Sequence, residues 1–188
     1  MNKKEQQFVT VVTNYYKEHG RHSLPWRKTK DPYAILVSEM MLQQTQVDRV
    51  IPKYDAFLKK FPTVKKLASA SLADVLTLWQ GLGYNRRAKM LHQCAQSIVK
   101  EYTAVFPKTR IALEALPGIG PYTASAIMTF AFNTPTTLIE TNVRSVYLHH
   151  FFKDDSQVDD KELLPLIEKT RDEENSRMWY YALMDYGT

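Results

Sequence analysis

The residues of this sequence best suited to chemistry are two glutamates and one glycine turn. Glu39 falls on a helical pattern in which Ile35, Glu39 and Leu42 share a face at i, i+4 and i+7. A carboxylate in an apolar stripe is costly unless it is paired or protonated. Burial raises its pKa, which is how a carboxylic acid becomes a proton donor near neutral pH. Taken alone, Glu39 reads more plainly as a helix-edge residue facing water. Glu140, in Leu138-Ile-Glu-Thr-Asn-Val143, falls at a helix start. There an acidic side chain suits the helix dipole and can cap N–H groups. A carboxylate fixed this way and kept ionised, paired with a protonated Glu39, gives the acid-plus-carboxylate arrangement that glycosidic cleavage uses. Leu116-Pro-Gly-Ile-Gly120 lies between two helical patterns. Gly118 and Gly120 allow a tight turn and close backbone approach. The N–H groups of the turn and of the next helix start then point outward together, an anion site suited to one phosphate.

The elements that must position these groups are helices. Phe8, Val11, Val12, Tyr15 and Tyr16 recur at helical spacing, and Gly20 stops that run. Asp31-Pro32 is a cap followed by proline at the first helical position, opening a helix through about Gln44. Val47, Val50, Ile51, Tyr54, Phe57, Leu58 and Phe61 form an apolar stripe ended by Pro62. Ser71-Leu-Ala-Asp74 resembles a capping box with Asp for Glu and opens a short helix closed by Gly81 and Gly83. Leu91 to Tyr102, Ile111 to Leu116 and Tyr122 to Phe132 follow, then patterns from about Thr141 to Phe151, Asp160 to Lys169 and Ser176 to Tyr186. The glycine turn thus reads as a helix-hairpin-helix element. Thr136-Thr-Leu-Ile139 is the one short strand candidate. The fold class is all-α, with about ten helices.

The chain has 188 residues, enough for one large domain or two small intertwined ones. Its net charge of +5 favours a polyanionic partner. Arg21, Arg27, Lys28 and Lys30 form one basic group; Arg86, Arg87 and Lys89 form another, and solvated helix faces are the plain alternative for both. A single cysteine, Cys94, excludes an internal disulfide and a multi-thiolate metal site; on an apolar stripe it reads as inert. The polar start and the lack of an apolar run near the roughly 18 residues of a membrane span predict a cytoplasmic protein with no membrane partner. His92, His149 and His150 show no metal-ligand spacing, and Tyr15, Tyr54, Phe57, Phe61, Tyr102 and Phe130 read as core.

Leu24-Pro-Trp-Arg27, Val37-Ser-Glu-Met-Met-Leu-Gln-Gln-Thr-Gln-Val47, Leu78-Trp-Gln-Gly-Leu-Gly-Tyr84 and Leu116-Pro-Gly-Ile-Gly-Pro-Tyr-Thr-Ala124 occur in this order. Together they resemble the endonuclease III-like helix-hairpin-helix DNA glycosylases, most of all the adenine glycosylases that act on A opposite 8-oxoguanine or G. The match runs from about Leu24 to Gly187. The resemblance implies a two-lobed all-α body with DNA in the cleft between lobes. A central lobe would span 28–136, and a second lobe 1–27 plus 137–188, with double-stranded DNA bearing a mispaired or damaged base as partner. It implies that Glu39 protonates adenine at N7, that Glu140 stabilises the sugar oxocarbenium ion, and that Asn142 orients Glu140. Gln44 and Tyr84 match side chains that wedge into the stack, with Leu42 beside them, and wedge contacts would offset the few kcal/mol that extruding a base costs. Trp26, Arg27 and Tyr122 match pocket-lining positions. Gln43, Thr45, Leu82, Arg86, Gly118 and Gly120 complete the implied DNA contacts. The backbone carbonyls of Glu114, Leu116 and Ile119 match ligands of an alkali cation, Na+ or K+, at the hairpin. Bifunctional relatives carry Lys where Tyr122 stands; a phenol cannot form a Schiff base, so a monofunctional enzyme is expected.

The sequence also departs from the family. Glu140 stands where relatives carry Asp, and one methylene moves a carboxylate by about 1.5 Å, a displacement that can cost about 100-fold in rate. Tyr181 stands where many relatives place Glu or Gln near the adenine. The four cysteines that hold a [4Fe-4S] cluster in relatives are absent, which a truncated chain or a cluster-free branch would explain, the abrupt end favouring truncation. A nucleoid-associated monomer is expected. Three functions stay open: adenine removal opposite 8-oxoguanine or G leads; thymine or uracil removal opposite G follows; a DNA-binding module without turnover is third.

Overall fold

Asp31, Thr63, Ser71 and Thr109 each start a helix by accepting a hydrogen bond from a backbone N–H two or three residues on. Each such cap stabilises its helix by about 1 kcal/mol. At Ser71 the box is incomplete: Asp74 is too short to reach back to the cap N–H and instead accepts from the Ser71 hydroxyl at 2.7 Å. The computed structural model describes residues 1–153, 155 and 157–188. Its helices are α1 (Lys3–His19), α2 (Pro32–Leu42), α3 (Val47–Lys60), α4 (Val64–Ala68), α5 (Leu72–Trp79) and α6 (Asn85–Tyr102), then α7 (Arg110–Glu114), α8 (Pro121–Phe130), α9 (Thr141–Phe152), α10 (Asp160–Thr170) and α11 (Ser176–Tyr186), with a 3-10 turn at Pro25–Arg27. No strand occurs among the described residues. None of their helices is long and apolar enough to cross a membrane.

The chain divides into two units. One is Ser23–Phe132; the other joins Met1–His22 to Asn133–Thr188. The boundaries fall at Ser23 and Asn133, where the sequence drew them at Lys28 and after Thr136, so Leu24, Trp26 and Arg27 go with the Ser23–Phe132 unit.

In that unit α2 is the axis, packed on α3, α6 and α8. Tyr33 to Ser38, Met40 and Met41 are all buried, so the helix is apolar nearly all round, as an interior helix must be. Glu39 and Leu42 are half-buried exceptions in its last turn. α6 turns Leu91, Cys94, Ala95 and Ile98 inward against α4 and α5. In the other unit α11 packs on α1 and α9 around Phe8, Tyr147 and Trp179. Arg21 closes that unit: its backbone N and Nε donate to the buried Asp185 carboxylate at 2.8 and 2.6 Å.

Two expectations fail. Thr136–Ile139 is not a strand: the Tyr180 hydroxyl accepts from Leu138 N (3.1 Å) and donates to Thr136 O (2.9 Å). A buried side chain thus takes the hydrogen bonds that a neighbouring strand would have made. Tyr15 is not core; it lies 36% exposed, its ring edge-on to Tyr186.

Burial pushes the Cys94 thiol and the Tyr180 phenol up to about 12. Both groups are charged only when deprotonated, so their folded values lie above their unfolded ones. The stability they contribute is full below about pH 9, where a free thiol begins to ionise, and is lost as the pH climbs toward 12. We therefore expect Cys94 to resist thiol reagents at pH 8 until denaturant is added, and the melting temperature to fall steadily above pH 9. Fast labelling of the native protein would contradict this.

Candidate functional site

The hairpin is built from α7, the turn at 115–120 and α8. Ile119 N donates to Leu116 O at 3.2 Å, closing the turn. Gly118 has φ +76°, and a Cβ there would lie 2.5 Å from Met90 Cβ. Only glycine fits on both counts. Gly120 differs: its φ is −89° and an added Cβ would meet nothing within 4 Å. It is the N-cap of α8 and supplies no side-chain cap. No contact among the described residues requires glycine there, whereas close approach of an outside group to the helix N-terminus would. We expect Gly118→Ala to cost about 1–3 kcal/mol of stability. Gly120→Ala should cost under about 1 kcal/mol. Thermal unfolding of both variants checks the contrast.

The turn's carbonyls, Glu114, Leu116 and Ile119, are neutral oxygen donors, the kind a hard alkali cation takes. Leu116 O also accepts from Ile119 N, and the Glu114 carboxylate is engaged by Arg110 at 2.5 Å. A four-thiolate cluster does not fit the residues present, since Cys94 is the one cysteine and is buried. Among the described residues no three His, Cys, Asp or Glu are grouped to hold a metal ion.

On the same unit, α2 ends beside two loops. Gln44 (φ 53°) and Tyr84 (φ 48°) both hold left-handed backbone, which costs a non-glycine residue about 1–2 kcal/mol. Both are exposed, Tyr84 at 65%. Between them lies Arg87, only 9% exposed. Its Nη1 donates to the carbonyls of Met40 (2.7 Å), Met41 (3.1 Å) and Gln43 (2.6 Å). Its Nη2 donates to Thr45 Oγ1 (3.2 Å), Leu82 O (3.0 Å) and Gly83 O (3.2 Å). Nε is buried without a partner. The guanidinium lies 5.5 Å from the Trp79 ring centroid and 5.6 Å from that of Tyr84. Grouping Arg87 with Arg86 and Lys89 as surface charge missed this. The signal was there: Arg87, Leu91, Cys94 and Ile98 follow one another at i, i+4, i+7 and i+11, on the buried face of α6.

Gln43, Gln44, Tyr84, Arg86 and Gly118 line one pocket of about 810 Å³ with Met40, Arg87 and Met90. The structure thus brings five expected DNA-contacting residues of this unit together. Others face inward. Trp26 is 5% exposed and packs edge-on against Tyr54, and Leu82 is 5% exposed. Thr45 is half-buried and its hydroxyl donates to Gln43 O at 3.2 Å. Arg27 is half-buried, and Tyr122, second in α8, is 37% exposed.

The other unit carries Glu140, Asn142 and Tyr181. Glu140 is the N-cap of α9, and its Oε1 accepts from Val143 N at 2.8 Å. One carboxylate oxygen is thereby fixed by the backbone. Asn142 is half-buried, and Gly187 lets the end of α11 approach it, since a Cβ there would lie 2.7 Å from Asn142 O. Tyr181 is 5% exposed.

A family model described as HhH-GPD superfamily base excision DNA repair protein matches residues 37–170. The chain belongs to this superfamily. Within it, the adenine DNA glycosylase of Buchnera aphidicola subsp. Baizongia pistaciae is 35% identical over 181 residues, covering 96% of this chain and 52% of that protein. The adenine DNA glycosylase of Mycolicibacterium smegmatis is 48% identical over 130 residues, covering 69% of this chain and 44% of that protein. This chain spans about half the length of these curated relatives. Among solved structures, a thermostable thymine-DNA glycosylase superposes with TM-score 0.89 at 28% identity, over 100% of this chain and 87% of that one. An endonuclease III–DNA complex shares the fold, with TM-score 0.77 at 21% identity over 98% and 85%. The all-α helix-hairpin-helix architecture read from the sequence is therefore the architecture of the HhH-GPD chain.

Proposed function

We propose that this HhH-GPD chain is a monofunctional glycosylase that removes adenine mispaired with 8-oxoguanine or G. The observation that carries this best is its identity with adenine DNA glycosylases, 35% over nearly the whole chain and 48% over two thirds of it. Glu39 protonates N7 of the extruded adenine. The C1′–N9 bond breaks, its electron pair leaves with the base, and Glu140 faces the positive sugar. Water adds at C1′ and gives up a proton that replaces the one Glu39 delivered, leaving free adenine and an abasic site. Asn142 keeps Glu140 in place, Tyr122, Tyr181, Trp26 and Arg27 border the base, and Gln44 and Tyr84 fill the stack. Gly118 and Gly120 take a phosphate, with Na+ or K+ at the turn. The protein works as a monomer on duplex DNA in the cytoplasm, at the nucleoid, where base excision repair has its substrate.

A second reading, thymine or uracil removal opposite G, is favoured by the likeness to the thymine-DNA glycosylase structure over the whole chain. Single-turnover cleavage of duplexes bearing A:8-oxoguanine, A:G, T:G and U:G, developed with alkali, tests both. We expect alkali-dependent breaks in the A strand only and no borohydride-trapped adduct, since Tyr122 offers no amine. Cleavage at T or U selects the second reading. Activity in Glu140→Asp alone, with none in the natural chain, marks a binding module.

A further inference from the structure

We propose that Arg87 is a positioning residue that holds the two wedge loops in one fixed shape before DNA arrives. The proposal rests on the reading of Gln44 and Tyr84 as wedges, and deepens it. The two residues hold left-handed backbone that they would leave unless neighbouring groups held it. Arg87 provides that hold on both loops. Its acceptors at Gln43 and Thr45 flank Gln44 on either side. Those at Leu82 and Gly83 immediately precede Tyr84, whose ring lies beside the guanidinium. The carbonyls of Met40 and Met41 anchor the same group to the buried end of α2. One planar cation thus ties a rigid helix end to both strained loops.

Two other roles fit less well. A phosphate contact needs an accessible guanidinium, but this one is 9% exposed with both terminal nitrogens already donating. A charge-neutralising role needs an acid, but the acceptors named are all carbonyl or hydroxyl oxygens. Lysine keeps the charge, yet a compact ammonium with three donors cannot span acceptors on both loops in one plane. Arg87→Lys is therefore the informative change. Thr45→Val, which leaves the cation but removes one of its acceptors together with that hydroxyl's own bonds to Gln43 O and Leu82 O, is the milder companion should the lysine variant not fold.

The test has two arms. Hydrogen exchange on the DNA-free protein follows residues 42–46 and 80–84, with the hairpin at 116–120 as internal control. In Arg87→Lys both loops should exchange at least about tenfold faster together while the hairpin is unchanged; Thr45→Val should move the same loops by less. The second arm places 2-aminopurine opposite guanine and reads extrusion by fluorescence, which does not depend on excision. The parent should raise the signal, and Arg87→Lys should lower the extrusion rate at least about tenfold with binding retained. Unchanged exchange in both loops overturns the proposal. So does faster exchange spread over the whole Ser23–Phe132 unit, or loosened loops with parental extrusion. Extrusion by the parent without release of any base leaves Arg87 its role and removes the excision reading instead.

Discussion

Replacing Glu39 with Gln should slow single-turnover excision by about 10³-fold, the middle of the range for losing a general acid. Duplex binding and melting temperature should stay near parental. The expectation comes from where the residue sits. Glu39 is on the most buried helix of its unit, yet it is one of two half-buried positions in that helix's last turn, between Ser38 and Met40, which are both buried. Its placement is fixed by packing, while its side chain keeps some access to solvent. Glutamine preserves volume and hydrogen bonding but carries no acidic proton, so structure should survive while proton delivery fails. A rate loss below about tenfold would remove Glu39 from the acid role.

The second large effect is at Glu140, where the structural and chemical roles can be separated. The side chain caps α9 through Val143 N, so Glu140→Ala should lose about 1 kcal/mol of stability along with activity. Glu140→Gln retains an oxygen that can accept from Val143 N, so its stability should drop by only a few tenths of that. Its excision rate should still fall about 10²–10³-fold, because a neutral amide cannot face the positive sugar. Equal rates for the glutamine variant and the parent would make Glu140 a cap and nothing more. Single-turnover rates beside thermal melts of both variants decide it.

Much of this was legible in the sequence, for identifiable reasons. Helix existence followed from the 3.6-residue period and from caps such as Asp31, Ser71 and Glu140, which all engage backbone N–H groups as their residue types predict. The glycine turn was legible because Gly118 is required by both its backbone angle and Met90. Three features were hidden. Thr136–Ile139 looks like a strand because strand-like composition does not reveal that a single tyrosine hydroxyl will satisfy its backbone. Arg87 looks like surface charge because residue type suggests exposure, and only its place on the apolar face of α6 shows otherwise. The left-handed backbone of Gln44 and Tyr84 left no trace, since neither residue type favours it; it exists because loops 42–46 and 80–84 are tied to the end of α2. The strain is a tertiary effect that no local pattern encodes, and of the clamp only the burial of Arg87 is foreshadowed, by its spacing with Leu91, Cys94 and Ile98.

The central claim, that this HhH-GPD chain hydrolyses an N-glycosidic bond to adenine with Glu39 as acid, is tested most directly by the released base. A duplex with isotopically labelled adenine opposite 8-oxoguanine, incubated with the parent and with Glu39→Gln, would be extracted and analysed by mass spectrometry. Stoichiometric free adenine from the parent and almost none from the variant is the predicted result. No free adenine from a parent that binds the duplex tightly, or equal release by both proteins, would contradict it.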